Sequence, residues 1–306
     1  MPVDQVELNF QQGGVWLLNL LIALIMFGVA LDLRPADFTR VLRMPIGPAI
    51  GLAAQFVLLP AVTLGLTLLL EPAPSIALGM LLVAACPGGN LSNFLTHLAG
   101  GNTALSVTMT ATSTAVAVVM TPLNVAFWGR MNPATASILE AIHLDPLAVL
   151  TIVVLILGIP LVAGMACARA FPRLAKWLHT PFKYFSIVVF VSVVFVIFTQ
   201  NFDVFVEHVH WVAGAAIIHN AVALSTGYVA ARLAGLPPRD RRAIAIEVGI
   251  QNSALGLALY FQFFAGLGGM ALVIGFWGIW HIISGLTLAF LWSRRPAPAV
   301  AMESAA

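Results

Sequence analysis

The stretch Ala243-Ile-Ala-Ile-Glu247-Val-Gly-Ile-Gln251-Asn252-Ser253 sets a carboxylate, two side-chain amides and a hydroxyl inside a chain that is otherwise almost continuously apolar. An ionised carboxylate at a bilayer centre costs roughly 2.5–3.5 kcal/mol on insertion scales. A helix interrupted at Gly249 also frees backbone groups that lipid cannot satisfy. A cation bound at Glu247 offsets both costs, so the stretch reads as an ion site at a break in a membrane helix. The rest of the chain agrees with that depth: 60% of the 306 residues are hydrophobic, 8% are charged and the mean hydropathy is +0.99. Such values lie far from the soluble globular average and describe an all-α polytopic membrane protein.

The net charge of +2 comes without any basic run interleaved with aromatics, which excludes a nucleic-acid binder. Cys86 and Cys167 make neither a disulfide framework nor a structural metal site. Asp4 and Glu7 precede the first apolar segment with no Lys or Arg, so a basic signal-peptide region is missing and that segment is expected to be retained.

Apolar runs of about 20 residues mark the spans. They fall near residues 14–33, 46–70, 75–99, 102–127, 146–168, 182–199, 211–234, 243–264 and 267–292, giving nine crossings. Two spans are broken: the third at Cys86-Pro-Gly-Gly-Asn90, where Pro removes a donor and paired Gly disfavours helix, and the eighth near residues 248–252. With the N-terminus outside and the C-terminus cytoplasmic, every Lys and Arg except Arg130 falls on the inner side, as the positive-inside rule requires.

The expected organisation is an outer N-terminus (1–13), a first repeat of four helices (14–128), an outer loop (129–145), a second repeat of five helices (146–293) and a cytoplasmic tail (294–306). The breaks occupy corresponding places in the two halves, each followed by one helix, which implies inverted-topology repeats with the first lacking one N-terminal helix. Paired interrupted helices point to a transporter binding site near the bilayer midplane.

The motifs Ala85-Cys-Pro-Gly-Gly-Asn-Leu-Ser-Asn93, Gly101-Asn-Thr-Ala-Leu-Ser-Val-Thr-Met-Thr110 and Glu247-Val-Gly-Ile-Gln251-Asn252 resemble the bile acid:sodium symporter family, in its nine-helix form. Met26-Phe-Gly and Gly51-Leu-Ala-Ala-Gln55 are similar to it too, so the resemblance covers nearly the whole chain. It implies two sodium sites. One is expected at Ser92, Asn93, Ser106, Thr110 and Glu247; the other at Gln55, Gln251 and Glu247 with the main-chain oxygens of Val248 and Ile250. Ser106 and Thr110 stand four apart and share one helix face, as an oxygen cage for a hard cation requires. The resemblance also places Asn90, Asn252 and His281 at a substrate cavity. Asn90 matches mammalian-type members, whereas many bacterial ones carry Thr, and Ile282 replaces an amide beside the His. A core bundle of the third, fourth, eighth and ninth helices is expected to move against a panel of the first, second, fifth, sixth and seventh.

The implied function is sodium-coupled import of an amphipathic organic anion across a plasma membrane, with sodium as the coupling ion and no organic cofactor. A bile acid is the first expectation and a small carboxylate, such as a keto acid or pantoate-like compound, the second. Plainer readings exist for single residues. Ser106, Thr110, Asn93, Gln55 and Gln251 suit interhelical hydrogen bonding, His219 and His281 suit helix packing, and Glu247 suits pairing with Arg241 or Arg242. A proton-coupled transporter or exporter would titrate Glu247 instead of holding sodium. An intramembrane enzyme finds no nucleophile–base pair at motif spacing and no His-Glu-x-x-His cluster. The charge asymmetry predicts that Arg239→Cys is labelled by a membrane-impermeant thiol reagent only from the cytoplasmic face; labelling from outside overturns the orientation.

Overall fold

The computed structural model describes residues 4, 13–31, 33, 37, 39, 45–142, 146–200 and 202–295. The expectations for most of the N-terminal stretch, for the basic residues Arg34, Arg40 and Arg43 and for the tail beyond Arg295 lie outside the described residues. Among those described, helices account for the architecture: α1 (Gly13–Ala30), α2 (Ile46–Leu70), α3 (Pro74–Ala85), α4 (Leu91–Leu98), α5 (Thr103–Met131), α6 (Pro133–Ala141), α7 (residues 146–170), α8 (Pro172–Gln200), α9 (Phe202–Leu233), α10 (Pro238–Gly249), α11 (Ser253–Phe263) and α12 (Gly268–Ser293). Five of these segments are long and apolar enough to cross a membrane, and the shorter apolar helices include α3 and α11. The chain is therefore a polytopic membrane protein by helix length and composition.

The breaks fall where the sequence places them. α3 stops at Ala85, before Pro87, and α4 resumes at Leu91; α10 stops at Gly249 and α11 resumes at Ser253. Both α3 and α10 run 12 residues and carry Pro in the first turn, where its missing N–H costs nothing. From Ser75 to Ala85 every residue of α3 is buried, as is every residue of α10 from Arg242 to Gly249. Helices apolar on all sides need neighbours on all sides.

Three features differ from expectation. α8 and α9 reach beyond the apolar spans at 182–199 and 211–234, because hydropathy marks bilayer thickness rather than helix ends. At 32 residues, α9 is about 48 Å long at the α-helical rise, against a hydrocarbon core of roughly 30 Å. The expected outer loop holds α6, started by Asn132, whose Oδ1 accepts the Ala134 N–H at 3.0 Å, and by Pro133 at the first helical position. Finally, α2 and α7 each contain a π-helical turn, Ala54–Leu58 and Val154–Gly158. Pro60 has no N–H for Phe56 O, and Pro160 none for Ile156 O. The ladder slips one residue, so that Leu59 N–H bonds Ala54 O and Ile159 N–H bonds Val154 O.

The helices also group differently from the expected core and panel. α9, the seventh span, packs along α10 and against α12 and α2, and α2 packs on α3 and α5. α1, α7 and α8 form the other group, meeting the first through α1 on α11 and α7 on α5. The second and seventh spans therefore belong with the broken helices. Glycine explains the closeness of α9 to α10: a Cβ on Gly227 would lie 2.6 Å from Ile244 O and 2.9 Å from Ala245 Cα. Overpacking there predicts that Gly227→Ala destabilises the protein by roughly 1–3 kcal/mol, whereas a Cβ at Gly214 of the same helix meets nothing within 4 Å. Unfolding of both variants in detergent checks this; equal stability would mean that the close approach is dispensable.

Candidate functional site

The two unwound segments cross each other. Gly88 and Gln251 form an antiparallel bridge, with Gly89 N–H donating to Ile250 O at 2.7 Å and Asn252 N–H to Pro87 O at 2.9 Å. Backbone at this depth has to be satisfied within the protein, and neighbouring side chains complete the account. Thr121 Oγ1 donates to Ala85 O at 2.7 Å, Gln55 Nε2 to Cys86 O at 2.8 Å and Asn220 Nδ2 to Gly249 O at 2.8 Å.

Glu247, fully buried, ends the apolar stretch of α10 two residues before the break. Its carboxylate accepts from Ser92 Oγ at 2.5 Å, from Thr110 Oγ1 at 2.8 and 2.9 Å, and from Ser106 Oγ at 3.4 Å. Asn93 turns its Oδ1 into the same space, 2.9 Å from Ser106 Oγ and 3.2 Å from Thr110 Oγ1. α4 supplies Ser92 and Asn93, α5 supplies Ser106 and Thr110, and α10 supplies the charge. All five residues expected at the first site thus converge. Acceptors outnumber protons: Thr110 Oγ1 has one hydrogen yet lies within 3.3 Å of Ser92 Oγ, Asn93 Oδ1, Ser106 O and both carboxylate oxygens. An all-oxygen, net-negative cage with spare lone pairs fits a hard cation. Gly88 leaves room for the carboxylate itself, since a Cβ there would overlap Glu247 Oε1.

The alternative partners of Glu247 are engaged elsewhere. Arg242 donates to Ala99 O at 2.6 Å, to Trp292 O at 3.1 Å and to Arg295 O, tying the ends of α4 and α12 together, and Arg241 donates to Leu236 O. The groups holding the carboxylate are hydroxyls.

The second expected set is joined more loosely. Gln55, in the π turn of α2, donates through Nε2 to Gln251 Oε1 at 2.9 Å as well as to Cys86 O, while its own buried Oε1 has no partner. Gln251 Nε2 donates to Val248 O at 2.6 Å, and Ile250 O receives Gly89 N–H. Glu247, the remaining member of this set, stands on α10 before the break and takes its hydrogen bonds from the hydroxyls of the first site. An unpaired buried oxygen costs about 1–3 kcal/mol, and a cation coordinated there would remove that cost.

Of the expected cavity residues, Asn90 is exposed immediately before α4. Asn252 is half-buried; its Oδ1 caps α11 through Leu255 N–H at 3.1 Å, and its Nδ2 faces Met26 Sδ of α1 at 3.8 Å. His281 is buried, with Nδ1 3.5 Å from Ser253 Oγ at the start of α11. His219 bonds Thr63 Oγ1 at 2.8 Å with its ring 4.5 Å from Trp277, the helix-packing role. Sequence reasoning missed Thr121, Asn124 and Asn220. Each is a polar residue inside a span whose carbonyl partner is freed by a distant Pro or Gly: Asn124 Nδ2, for instance, donates to Phe56 O, the acceptor that Pro60 leaves without its N–H, at 3.0 Å.

Comparison with known proteins agrees with this chemistry. The model of the Sodium Bile acid symporter family matches residues 19–208. An uncharacterized sodium-dependent transporter of Bacillus subtilis, YocS, is 33% identical over 91% of this chain and 83% of its own length. The probable sodium/metabolite cotransporter BASS1, chloroplastic, of Arabidopsis thaliana is 31% identical over 90% of this chain and 66% of its own. The human ileal sodium/bile acid cotransporter is 31% identical over 78% and 67% respectively. The chain belongs to the sodium bile acid symporter family, whose members are sodium-coupled transporters and not enzymes.

Proposed function

We propose that the protein imports an amphipathic organic anion into the cell with inward sodium flow, by alternating access in the plasma membrane. The observation that carries this reading is the buried Glu247 carboxylate ringed by Ser92, Ser106, Thr110 and Asn93 at the crossing of two broken helices. Sodium would enter that cage, and a second sodium would take the unpaired Gln55 oxygen with Gln251, Glu247 and the carbonyls of Val248 and Ile250. Glu247 then serves both ions. With the sites empty it is a buried charge without a counterion, which couples ion loading to conformation.

The crossing offers opposite poles to ion and substrate. The C-terminal carbonyl ends of α3 and α10 favour a cation, while the N-terminal ends of α4 and α11, at Leu91 and Ser253, favour an anion. Asn90 and Asn252 stand at those N-terminal ends, and His281 follows behind Ser253. Nine crossings in two inverted repeats, with the N-terminus outside, suit the matched 12-residue lengths of α3 and α10 and the break–helix order that follows each. The group built on the broken helices would rock against α1, α7 and α8, carrying ions and substrate together. A bile acid is the first substrate to test, given Asn90 and the ileal relative. A small carboxylate is the second, given relatives described as sodium/metabolite cotransporters.

Preferential binding to the folded state raises stability, by about 2.7 kcal/mol at a hundredfold excess over Kd. The purified protein is expected to melt at a higher temperature in sodium than in potassium chloride at equal ionic strength, and Glu247→Gln is expected to abolish the difference. A further rise with a bile acid or a keto acid, seen in sodium only, identifies the substrate class. Equal melting in both salts rejects sodium coupling and favours a proton-coupled carrier or exporter. In proteoliposomes, Thr110→Val, which keeps shape and removes one cage oxygen, is expected to raise the sodium concentration for half-maximal uptake roughly tenfold or more; unchanged sodium dependence would dismiss the cage.

A further inference from the structure

Val248 O, Gly249 O and Ile250 O are among the carbonyls that lose their helical donors where α10 stops. Val248 O would receive Asn252 N–H, but that group donates to Pro87 O; Gly249 O would receive Ser253 N–H, but that group donates to Gln251 O at 3.0 Å. The replacements differ in kind. Val248 O takes Gln251 Nε2 and Ile250 O takes Gly89 N–H, both from within the crossing, whereas Gly249 O takes the Asn220 amide from α9. Asn220 is fully buried, and its other end is occupied too: Oδ1 accepts from Ser284 Oγ of α12 at 2.5 Å. Its side chain therefore has one donor aimed at the break and one acceptor held by a third helix. The short asparagine reaches only because α9 lies so close to α10, where a Cβ on Gly249 would strike Leu224 of α9.

We propose that Asn220 is a positioning residue for the second ion: by fixing the Gly249 peptide it holds the neighbouring Val248 and Ile250 carbonyls in the orientation the ion uses. This rests on the sodium reading above. Gln55 does the corresponding work at the other break. It lies 31 residues before the carbonyl it holds, Cys86 O, and Asn220 lies 29 residues before Gly249 O. Each break thus has one side-chain amide from the span that precedes it. Gln55 has a free oxygen for an ion, while both ends of Asn220 are taken, so Asn220 orients ligands without being one. Without its N–H, Gly249 O is left to compete for Gln251 Nε2, the donor that sets Gln251 and Val248 in place.

The test is sodium titration of thermal stability and of uptake for the wild type, Asn220→Asp, Asn220→Ala and Ser284→Ala. Asn220→Asp keeps the shape and removes the N–H. Both Asn220 variants are expected to raise the sodium half-saturation about 10–100-fold, the usual loss when an outer-shell partner of a metal ligand is removed. The sodium Hill coefficient should fall toward one, and the melting temperature should fall further in sodium than in potassium, where the loss comes only from the buried groups left without a partner. Ser284→Ala should shift half-saturation the same way by less, and it decides the matter if the Asn220 variants do not fold. A wild type responding to sodium beside variants with the same half-saturation overturns the proposal. So does an equal loss of stability in both salts with sodium dependence preserved, which marks Asn220 as structural only. A wild type that ignores sodium overturns the sodium reading and this proposal together.

Discussion

Unwound backbone inside a membrane has no water to fall back on, and the architecture follows from that constraint. α3 and α10 end beside each other, and the released peptide groups bind each other first, through the Gly88–Gln251 bridge. What the bridge cannot satisfy is met by Thr121, Gln55 and Asn220, each from a different helix. This is why α2, α5 and α9 gather round the breaks and why those helices carry polar residues in otherwise apolar surroundings. The ion cage sits on the same scaffold: the segments that must cross for the sake of their backbone bring Ser92 and Glu247 to within 2.5 Å.

Much of this was legible in the sequence, because the residues concerned violate the apolar pattern. Pro87 with Gly88 and Gly89, and Gly249 before Gln251, fixed the breaks. A lone Glu247 at depth demanded company, and Ser92, Asn93, Ser106 and Thr110 supply it in the structure. Gln55 and Gln251, nearly 200 residues apart in sequence, do meet side chain to side chain.

The parts that were not legible depend on where a freed carbonyl points, which a one-dimensional pattern does not carry. Asn220 and Asn124 read as ordinary polar residues in a helix until Gly249 O and Phe56 O appear beside them. The meeting of His281 with Ser253, 28 residues away in sequence, is of the same kind. The grouping of α9 with the broken helices follows from a close approach at Gly227. A glycine inside an apolar span gives no hint of which neighbour it admits.

The π turn in α2 has a rotational consequence. Gln55 and Thr63 are eight residues apart, which in an unbroken α-helix at about 100° per residue would set them roughly 80° apart round the axis. One extra residue in the turn between them takes back about that angle. Both side chains are fully buried, Gln55 on the broken helices and Thr63 on His219. Pro60 thus works as an angular adjustment: a single ring in the backbone brings two polar side chains closer to one line along the inward face of the helix.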